Sequence, residues 1–387
     1  MKIAIVTDEF PPTSRGGSGV VAWREAQALA DRGYQVMVFT PASSEKLISE
    51  KFQVKQIGPE NPVKRNAWQI VSDHQFLDSL KPFLENYKPD VVHCHHVTSF
   101  FGLATVDWCS QIYKTVVTIH DANWILPDKV WVDEGGYQPG FWRAILTHRL
   151  SYNPWLKSTS DKIFKRAKAV IFVSDAIRLY YESVLGRSDN FITLHNALEL
   201  GDWPYVEYSP SDPVRLGFAG RMNAAKGLDL FVSLVEKMNN LGLRTIGSII
   251  GQEDRYNRLL SYFEEKRKLM FEYGGFIKDD AALRSWYASL DASFAGSAYL
   301  DPFPNVAMES LAVGRGVIVG PYTGSREIVD DSVGYRMTPE NLKDVTSVAR
   351  ELSEAKPFAG WAENCAQKRD GFGMEDHVRR LLDVYCG

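Results

Sequence analysis

Short apolar runs recur along the whole chain, each followed by a segment with helical spacing, and this alternation constrains the fold more than any other feature. The first run, Lys2-Ile3-Ala4-Ile5-Val6, is continuously apolar after its lysine, as expected of a parallel strand covered on both faces. Further strand-like runs fall at 35–40, 52–57, 90–94, 115–119, 169–173 and 191–194, with helical patterns near 67–86, 99–113, 155–167 and 175–185. Repeated β–α steps close by right-handed crossovers, so the series predicts an α/β protein with a mainly parallel sheet. A stretch rich in Pro, Ser and Asp at 201–213 interrupts it, and a second series begins at Val214, with strands expected at 214–219, 244–250, 269–273, 291–295 and 316–319. The chain therefore reads as an N-terminal Rossmann-like domain over 1–200, a linker over 201–213, a second Rossmann-like domain over 214–357, and a terminal helical segment over 358–387.

Composition narrows the class of protein without naming a function. The 387 residues suffice for two domains, and 45% hydrophobic with 24% charged residues is ordinary for a globular chain. A net charge of −4 gives no reason to expect nucleic acid. The four cysteines, Cys94, Cys109, Cys365 and Cys386, form no C-x-x-C pair, which favours a reducing compartment. The first apolar run is too short for a signal peptide, and no run reaches the ~18 residues of a membrane span. The expected location is cytoplasmic. Basic residues at 141–168 with Trp142 and Trp155 leave open a peripheral contact with the inner face of a membrane, beside the plainer reading of a solvated helix.

In open parallel sheets, ligands bind beyond the carboxyl ends of the strands, and several marked residues fall at such ends. After the first strand comes a glycine loop, Gly16-Gly17-Ser18-Gly19, opening a helix; such loops let a backbone approach phosphate closely. The loop is neither the spaced dinucleotide fingerprint nor a Walker loop. His93, His95 and His96 follow the 90–94 run, and His120, Asp121 and Asn123 follow Thr115–Ile119. No nearby carboxylate or cysteine completes an obvious ligand set with the histidines, and alternation should send His95 and His96 to opposite faces, so no metal is expected. In the second series, Gly220-Arg221 and Lys226-Gly227 place two cations at a strand mouth, with Gly251 and Gly275-Phe276-Ile277 at neighbouring turns. Leu300-Asp301-Pro302-Phe303-Pro304-Asn305-Val306 then leads into a helix bearing Glu309, with Asn305 suited to its N-cap and the two acids eight positions apart.

Taken together, these motifs resemble retaining glycosyltransferases of family 4, which have the GT-B fold. The resemblance rests on Gly16-Gly17-Ser18-Gly19, His120 after its strand, Phe218-Ala219-Gly220-Arg221 with Lys226-Gly227, Gly275-Phe276-Ile277, Pro302 to Ala312 with Glu309, and Gly324 with Glu327-Ile328-Val329. It implies two Rossmann-like domains facing across a cleft, a last helix crossing back to the first, and a nucleotide-sugar donor with no metal cofactor. By resemblance, Gly16, Gly17 and Ser18 contact the donor diphosphate, and Arg221 and Lys226 neutralise it. Glu309 holds the ribose, the backbone at Ile277 reads the base, Gly251 and Phe276 are further donor-binding positions, and Asp301 with the backbone of Phe303, Pro304, Asn305 and Val306 holds the donor sugar. His120 contacts the sugar near the reacting carbon. His93, His95, His96, Asp121 and Asn123 line the acceptor side, where Trp124, Trp131, Phe141 and Trp142 would suit a saccharide or a lipid-linked one. The family commonly has Glu where this chain has Asp301, which bears on the donor sugar.

The expected activity is retaining, metal-independent transfer of a hexose from UDP-glucose to a saccharide or lipid-linked saccharide acceptor in glycan or exopolysaccharide synthesis. GDP-mannose is the alternative donor. A sugar-nucleotide epimerase and a non-catalytic sugar-nucleotide-binding regulator are the alternatives of other classes.

Overall fold

The computed structural model describes residues 1–12, 17–43, 47–59, 62–72, 74–126, 132–133, 136–137, 153, 155–251 and 269–387. It divides into two units, one of Met1–Val130, Tyr137–Glu199 and Met374–Gly387, the other of Trp131–Gly136 and Leu200–Gly373.

In the first unit, β1 (Lys2–Val6), β2 (Gln35–Pro41), β3 (Gln53–Ile57), β4 (Val91–Cys94) and β5 (Thr115–Ile119) share one sheet with two later strands. A separate two-stranded sheet, grouped with the second unit except for Tyr137, joins β6 (Val132–Asp133) to β7 (Gly136–Tyr137). The later strands of the large sheet are β8 (Ala169–Phe172) and β9 (Phe191–Thr193), and its order is β3-β2-β1-β4-β5-β8-β9, with every pairing parallel. Strand order reverses between β1 and β4, which makes their carboxyl ends the switch point where such sheets bind ligands. Ile3 to Val6 are fully buried, because helices cover both faces and leave no solvated side to call for alternation.

The second unit repeats the plan. Strands β10 (Val214–Ala219), β11 (Thr245–Ile250), β12 (Phe271–Tyr273), β13 (Ala292–Ala295), β14 (Gly316–Val319) and β15 (Gly334–Arg336) run in the order β12-β11-β10-β13-β14-β15, again all parallel. Its switch point lies between β10 and β13. The helix Leu228–Asn240 buries Leu234, Val235 and Met238 in one core with Val348 and Leu352 of the helix Thr346–Ala355.

Three boundaries differ from those read in the sequence. The segment 201–213 is no free linker: Trp203 packs on Tyr287, the Tyr208 hydroxyl donates to Asp291, and Arg315 donates to the Val206 carbonyl at 2.9 Å, so the segment belongs to the second unit. The helix Phe358–Lys368 also belongs there, because Trp361 fills the space over Gly316 where no side chain intervenes. Return to the first unit comes later, at Met374, whose N–H donates to the Leu198 carbonyl at 2.8 Å. From there Met374, Val378, Leu381 and Tyr385 of the helix Met374–Cys386 join the core formed by Ala22, Ala26 and Leu29 of the helix Gly17–Asp31. β15 lies outside the strand expectations, since three residues with a single aliphatic-free aromatic give no readable period.

Candidate active site

In the second unit, polar side chains gather at the switch point. β10 ends at Ala219, and the chain turns through a short 3₁₀ segment, Ala224–Lys226, capped by the Asn223 side chain, which accepts from the Lys226 N–H at 3.0 Å. Gly227 follows at φ +80°, and a Cβ there would lie 2.3 Å from the Gly296 carbonyl oxygen, so only glycine lets this turn pack against the end of β13. Gly251 at the end of β11 is similarly placed, at φ +155° with the Gly220 carbonyl 2.7 Å from a Cβ.

This packing delivers the Lys226 ammonium to the Asp301 carboxylate at 2.5 Å, with the Tyr299 ring centroid 5.5 Å away. Asp301 is 5% exposed and also accepts from the Ser297 hydroxyl at 2.6 Å. Its own backbone is pinned by the Gly324 N–H at 2.9 Å and a bridge to Thr323. Burial disfavours the charged ammonium of Lys226, but Asp301 and Tyr299 more than offset it and hold its pKa above the ordinary lysine value. Burial, then Asp301, raises that of Tyr299, against Lys226 and Arg221. The sequence led us to expect two cations open to a ligand. Arg221 is exposed and fits that description, whereas Lys226 is already paired by the acid expected to hold the sugar.

The helix Asn305–Ala312 starts one residue earlier than its sequence suggested: Pro304 occupies the cap, so Asn305 lies in the first turn and gives no N-cap. Phe303 is buried, and Pro304, Asn305 and Val306 are partly exposed at the helix start, where backbone N–H groups lack intrahelical partners. Glu309, 7% exposed, accepts from the Tyr287 hydroxyl at 3.0 Å. Phe276 is 55% exposed and Ile277 partly so, after Gly275 in the turn beyond β12.

In the first unit, Gly17 opens the helix Gly17–Asp31 and the Ser18 hydroxyl donates to Glu9 at 3.2 Å; Gly16 lies outside the described residues. The histidines sort as alternation requires. His93 and His95 point to one side, their ring centroids 4.2 Å apart, and His95 meets His120 at 3.2 Å between ring nitrogens. His96 faces away, toward the Ser99 hydroxyl at 3.2 Å and the Asp121 carboxylate at 3.4 Å. Asp121 in turn accepts from the N–H of Asn123 at 2.9 Å and its side-chain amide at 2.7 Å. Burial, then the neighbouring His95, holds the pKa of His120 well below the usual imidazole value.

Two expectations are corrected here. Trp124 is 2% exposed and packs on Phe164 in the core, so it offers no acceptor surface; Trp131, Phe141 and Trp142 lie outside the described residues. A carboxylate does stand beside the histidines: Glu25, some seventy positions earlier, lies 3.2 Å from His95 and 3.7 Å from His93. Glu25, His93 and His95 offer ligand atoms all within 4.8 Å of one another. Both nitrogens of His93 are engaged, however, by the Tyr385 hydroxyl at 2.6 Å and the Thr118 hydroxyl at 2.7 Å. Glu25, Tyr385 and His377, the last 3.0 Å from Glu25, were absent from the sequence-based site because only tertiary packing brings them to β4. The available signal was a charged pair, Arg24 and Glu25, within a mostly apolar, core-facing stretch.

Two doubly wound parallel sheets in succession, each with polar side chains collected at its switch point, are the architecture of the GT-B fold. Residues 15–201 match the description Glycosyltransferase Family 4, and residues 213–355 match Glycosyl transferases group 1. A glycosyltransferase of Methanocaldococcus jannaschii is 26% identical over 100% of this chain and 98% of its own length. Among solved structures, sucrose-phosphate synthase of Thermosynechococcus elongatus superposes with a TM-score of 0.78 at 16% identity, covering 100% of this chain and 98% of its own. Anabaena HepE in complex with UDP and glucose gives 0.70 at 16% identity, covering 99% of each chain. The chain belongs to the family 4 type of glycosyltransferases.

Proposed function

We propose that the chain transfers a hexose from a nucleotide-sugar, with UDP-glucose as the favoured donor, to a saccharide or lipid-linked saccharide acceptor in glycan or exopolysaccharide synthesis. The observation that carries this is the Lys226–Asp301–Ser297 constellation beside the start of the helix Asn305–Ala312, with Glu309 buried two turns along it. HepE, solved with UDP and glucose, and sucrose-phosphate synthase support the choice of donor through the shared fold. The exposed Trp155, 58% accessible and packed on Trp68, supports a peripheral contact with a lipid-linked acceptor's membrane; among the described residues no helix is long and apolar enough to cross one.

In the proposed reaction, the bond from the anomeric carbon to the β-phosphate oxygen breaks, and its electron pair leaves with the diphosphate. The acceptor oxygen bonds the same carbon from the same face, and its proton passes to the departing phosphate. Negative charge grows on that phosphate while the sugar gains oxocarbenium character. Arg221, Lys226 and the helix start at Pro304–Val306 would stabilise the first without a metal. Asp301, with the backbone N–H groups of Phe303, Asn305 and Val306 (Pro304 has none), would hold sugar hydroxyls, so donor binding must draw Asp301 into sharing Lys226 with the phosphate. Glu309 would hold the ribose and the backbone at Ile277 the base, and by the family resemblance Gly17, Ser18, Gly251 and Phe276 are further donor contacts.

A panel of UDP-, GDP- and ADP-sugars, assayed with EDTA for thermal shift and nucleoside-diphosphate release, tests this. UDP-glucose is expected both to raise the melting temperature and to be slowly hydrolysed. If none of the panel does either at millimolar concentration, the donor site is refuted.

A further inference from the structure

Side chains from three distant parts of the chain meet around His95. Glu25 comes from the helix Gly17–Asp31 and is 2% exposed, His95 follows β4 and is fully buried, and His377 of the helix Met374–Cys386 is 6% exposed. They form a file that ends at His120: His377 Nε2 to Glu25 Oε1, 3.0 Å; Glu25 Oε2 to His95 Nε2, 3.2 Å; His95 Nδ1 to His120 Nε2, 3.2 Å. The His95 and His120 rings lie nearly parallel, 22° apart in plane with centroids at 5.5 Å. A carboxylate so deeply buried is costly unless donors surround it.

The polarity of the file follows from its ends. A carboxylate only accepts, and His377 also faces the His195 carbonyl at 2.9 Å, so each of its two hydrogen bonds requires an N–H. Glu25 Oε2 and His95 Nε2 are buried 3.2 Å apart as an ion pair off the ideal hydrogen-bond direction, and among the described residues neither atom has a hydrogen-bond partner. Two lone pairs would repel at that separation, so His95 presents Nε2–H to the carboxylate. His377, with an N–H to each of two acceptors, is the cation that balances Glu25, and a second charge on fully buried His95 between His93 and His120 would go uncompensated; Nδ1 of His95 is then an acceptor, and His120 must present Nε2–H to it. That leaves Nδ1 of His120 as an acceptor with no partner among the described residues.

We propose that Glu25 is a positioning residue which, acting through His95, holds His120 in its Nε2–H tautomer and ring plane, so that Nδ1 is the atom offered to a substrate hydroxyl. The last clause rests on the proposed function; the tautomer does not. His93 lines the same space, but its two hydroxyl partners hold it out of the file. The helix Met374–Cys386 contributes through His377, which fixes the second oxygen of Glu25, and so serves the site as well as the core.

Long-range ¹H–¹⁵N correlation spectra of the full chain labelled at histidine nitrogen read the tautomer directly, with no donor present. Wild type is expected to show His120 as Nε2–H. Glu25→Gln can turn its amide N–H₂ toward His95, reversing the file and moving His120 to Nδ1–H or a mixture. Should that variant not fold, His95→Phe breaks the file while leaving Glu25 with His377, and His120 is expected to lose its single tautomer. In turnover, Glu25→Gln is expected to lower kcat by up to ~10²-fold, as small misplacements near a reacting centre do, with donor KM little changed. An Nδ1–H tautomer in wild type, or an unchanged Nε2–H signature in folded Glu25→Gln or His95→Phe, overturns the proposal. So does one equivalent of tightly bound zinc in purified wild type that is lost in Glu25→Gln, since Glu25 would then be a metal ligand. Failure of the donor panel with the expected spectra would refute the transferase reading and leave the positioning role standing.

Discussion

Replacing Lys226 by Ala removes the cation that sits 2.5 Å from Asp301 and beside the Tyr299 ring. If that cation meets the leaving diphosphate, its worth follows from Coulomb's law: about 4 kcal/mol for a unit charge ~4 Å from an oxyanion at an effective dielectric near 20. Loss of a single oxyanion donor in other enzymes costs ~2.7–4 kcal/mol, so Lys226→Ala is expected to lose roughly 10²–10³ in kcat, and Arg221→Ala a similar amount. Asp301 complicates the comparison, because at 5% exposure it would keep the Ser297 hydroxyl but lose its counter-charge. The double variant Lys226→Ala/Asp301→Asn separates the two effects. Because Asp301 is itself placed on the donor sugar, the reference is Asp301→Asn alone: if the loss came only from stranding a buried carboxylate, adding Lys226→Ala to Asp301→Asn costs little further rate; if Lys226 acts on the diphosphate, the double variant is slower than Asp301→Asn by a factor similar to that of the single Lys226→Ala change. The assay is nucleoside-diphosphate release at saturating donor, with circular dichroism and melting temperature to show that each variant folds. Turnover within about threefold of wild type, ~0.65 kcal/mol, in both Lys226→Ala and Arg221→Ala would refute the placement of the leaving group.

Acid should weaken the first unit. Burial holds the pKa of His93 and His120 well below the model-compound value of 6.5, so on acidification the unfolded chain takes up protons there before the folded one does, and stability falls as pH drops through about 6.5. Burial pushes Glu25 up, but His95 and His377 outweigh it and hold Glu25 well below 4.5, adding stability that is lost only on further acidification. Asp8, raised by burial, works in the opposite sense from near 3.8 upward. Calorimetry at pH 7.5 and 5.5 is expected to show a lower melting temperature at 5.5, with each unit of histidine depression worth ~1.4 kcal/mol; an equal or higher one contradicts the burial of neutral imidazoles. Separately, Gly227→Ala meets a φ of +80° and a backbone oxygen 2.3 Å from its Cβ, and is expected to cost ~1–3 kcal/mol or more by denaturant titration, whereas a neutral result would show that the turn is not as drawn.

Much of the fold was legible because its signals are local. Thr115–Ile119, Val214–Ala219 and Gly316–Val319 were delimited to the residue, since an apolar run between turn signals needs no partner to be recognised. Where an element's fate depends on what it packs against, sequence spacing gave less. Residues 201–213 have a linker's composition, yet Trp203 and the Tyr208 hydroxyl find Tyr287 and Asp291 and tie them down. The helix Phe358–Lys368 begins after Pro357, which marks a break but not a destination; Trp361 over Gly316 decides it.

The two groups of candidate residues differ in the same way, and for a chemical reason. In the second unit the side chains that meet sit in loops leaving adjacent strands, with Gly227 and the prolines around Phe303 advertising the tight backbone they require. A ligand site built from loop backbone and a few charges leaves such marks, because special backbone needs special residues. In the first unit the marked histidines were visible, but what orients them was not. Glu25 lies on a helix whose pattern reads as core, and His377 and Tyr385 are nearly three hundred positions from His93 and His95. A buried carboxylate among imidazoles is stabilised by neighbours drawn from distant parts of the chain, so the local trace is a charged pair, Arg24 and Glu25, on a mostly apolar helix face. A charged residue on such a face, when no partner lies within one or two turns, implies a partner elsewhere in the fold. Here that partner set includes His95, which touches His120, and this contact is what connects the core of the first unit to its candidate chemistry.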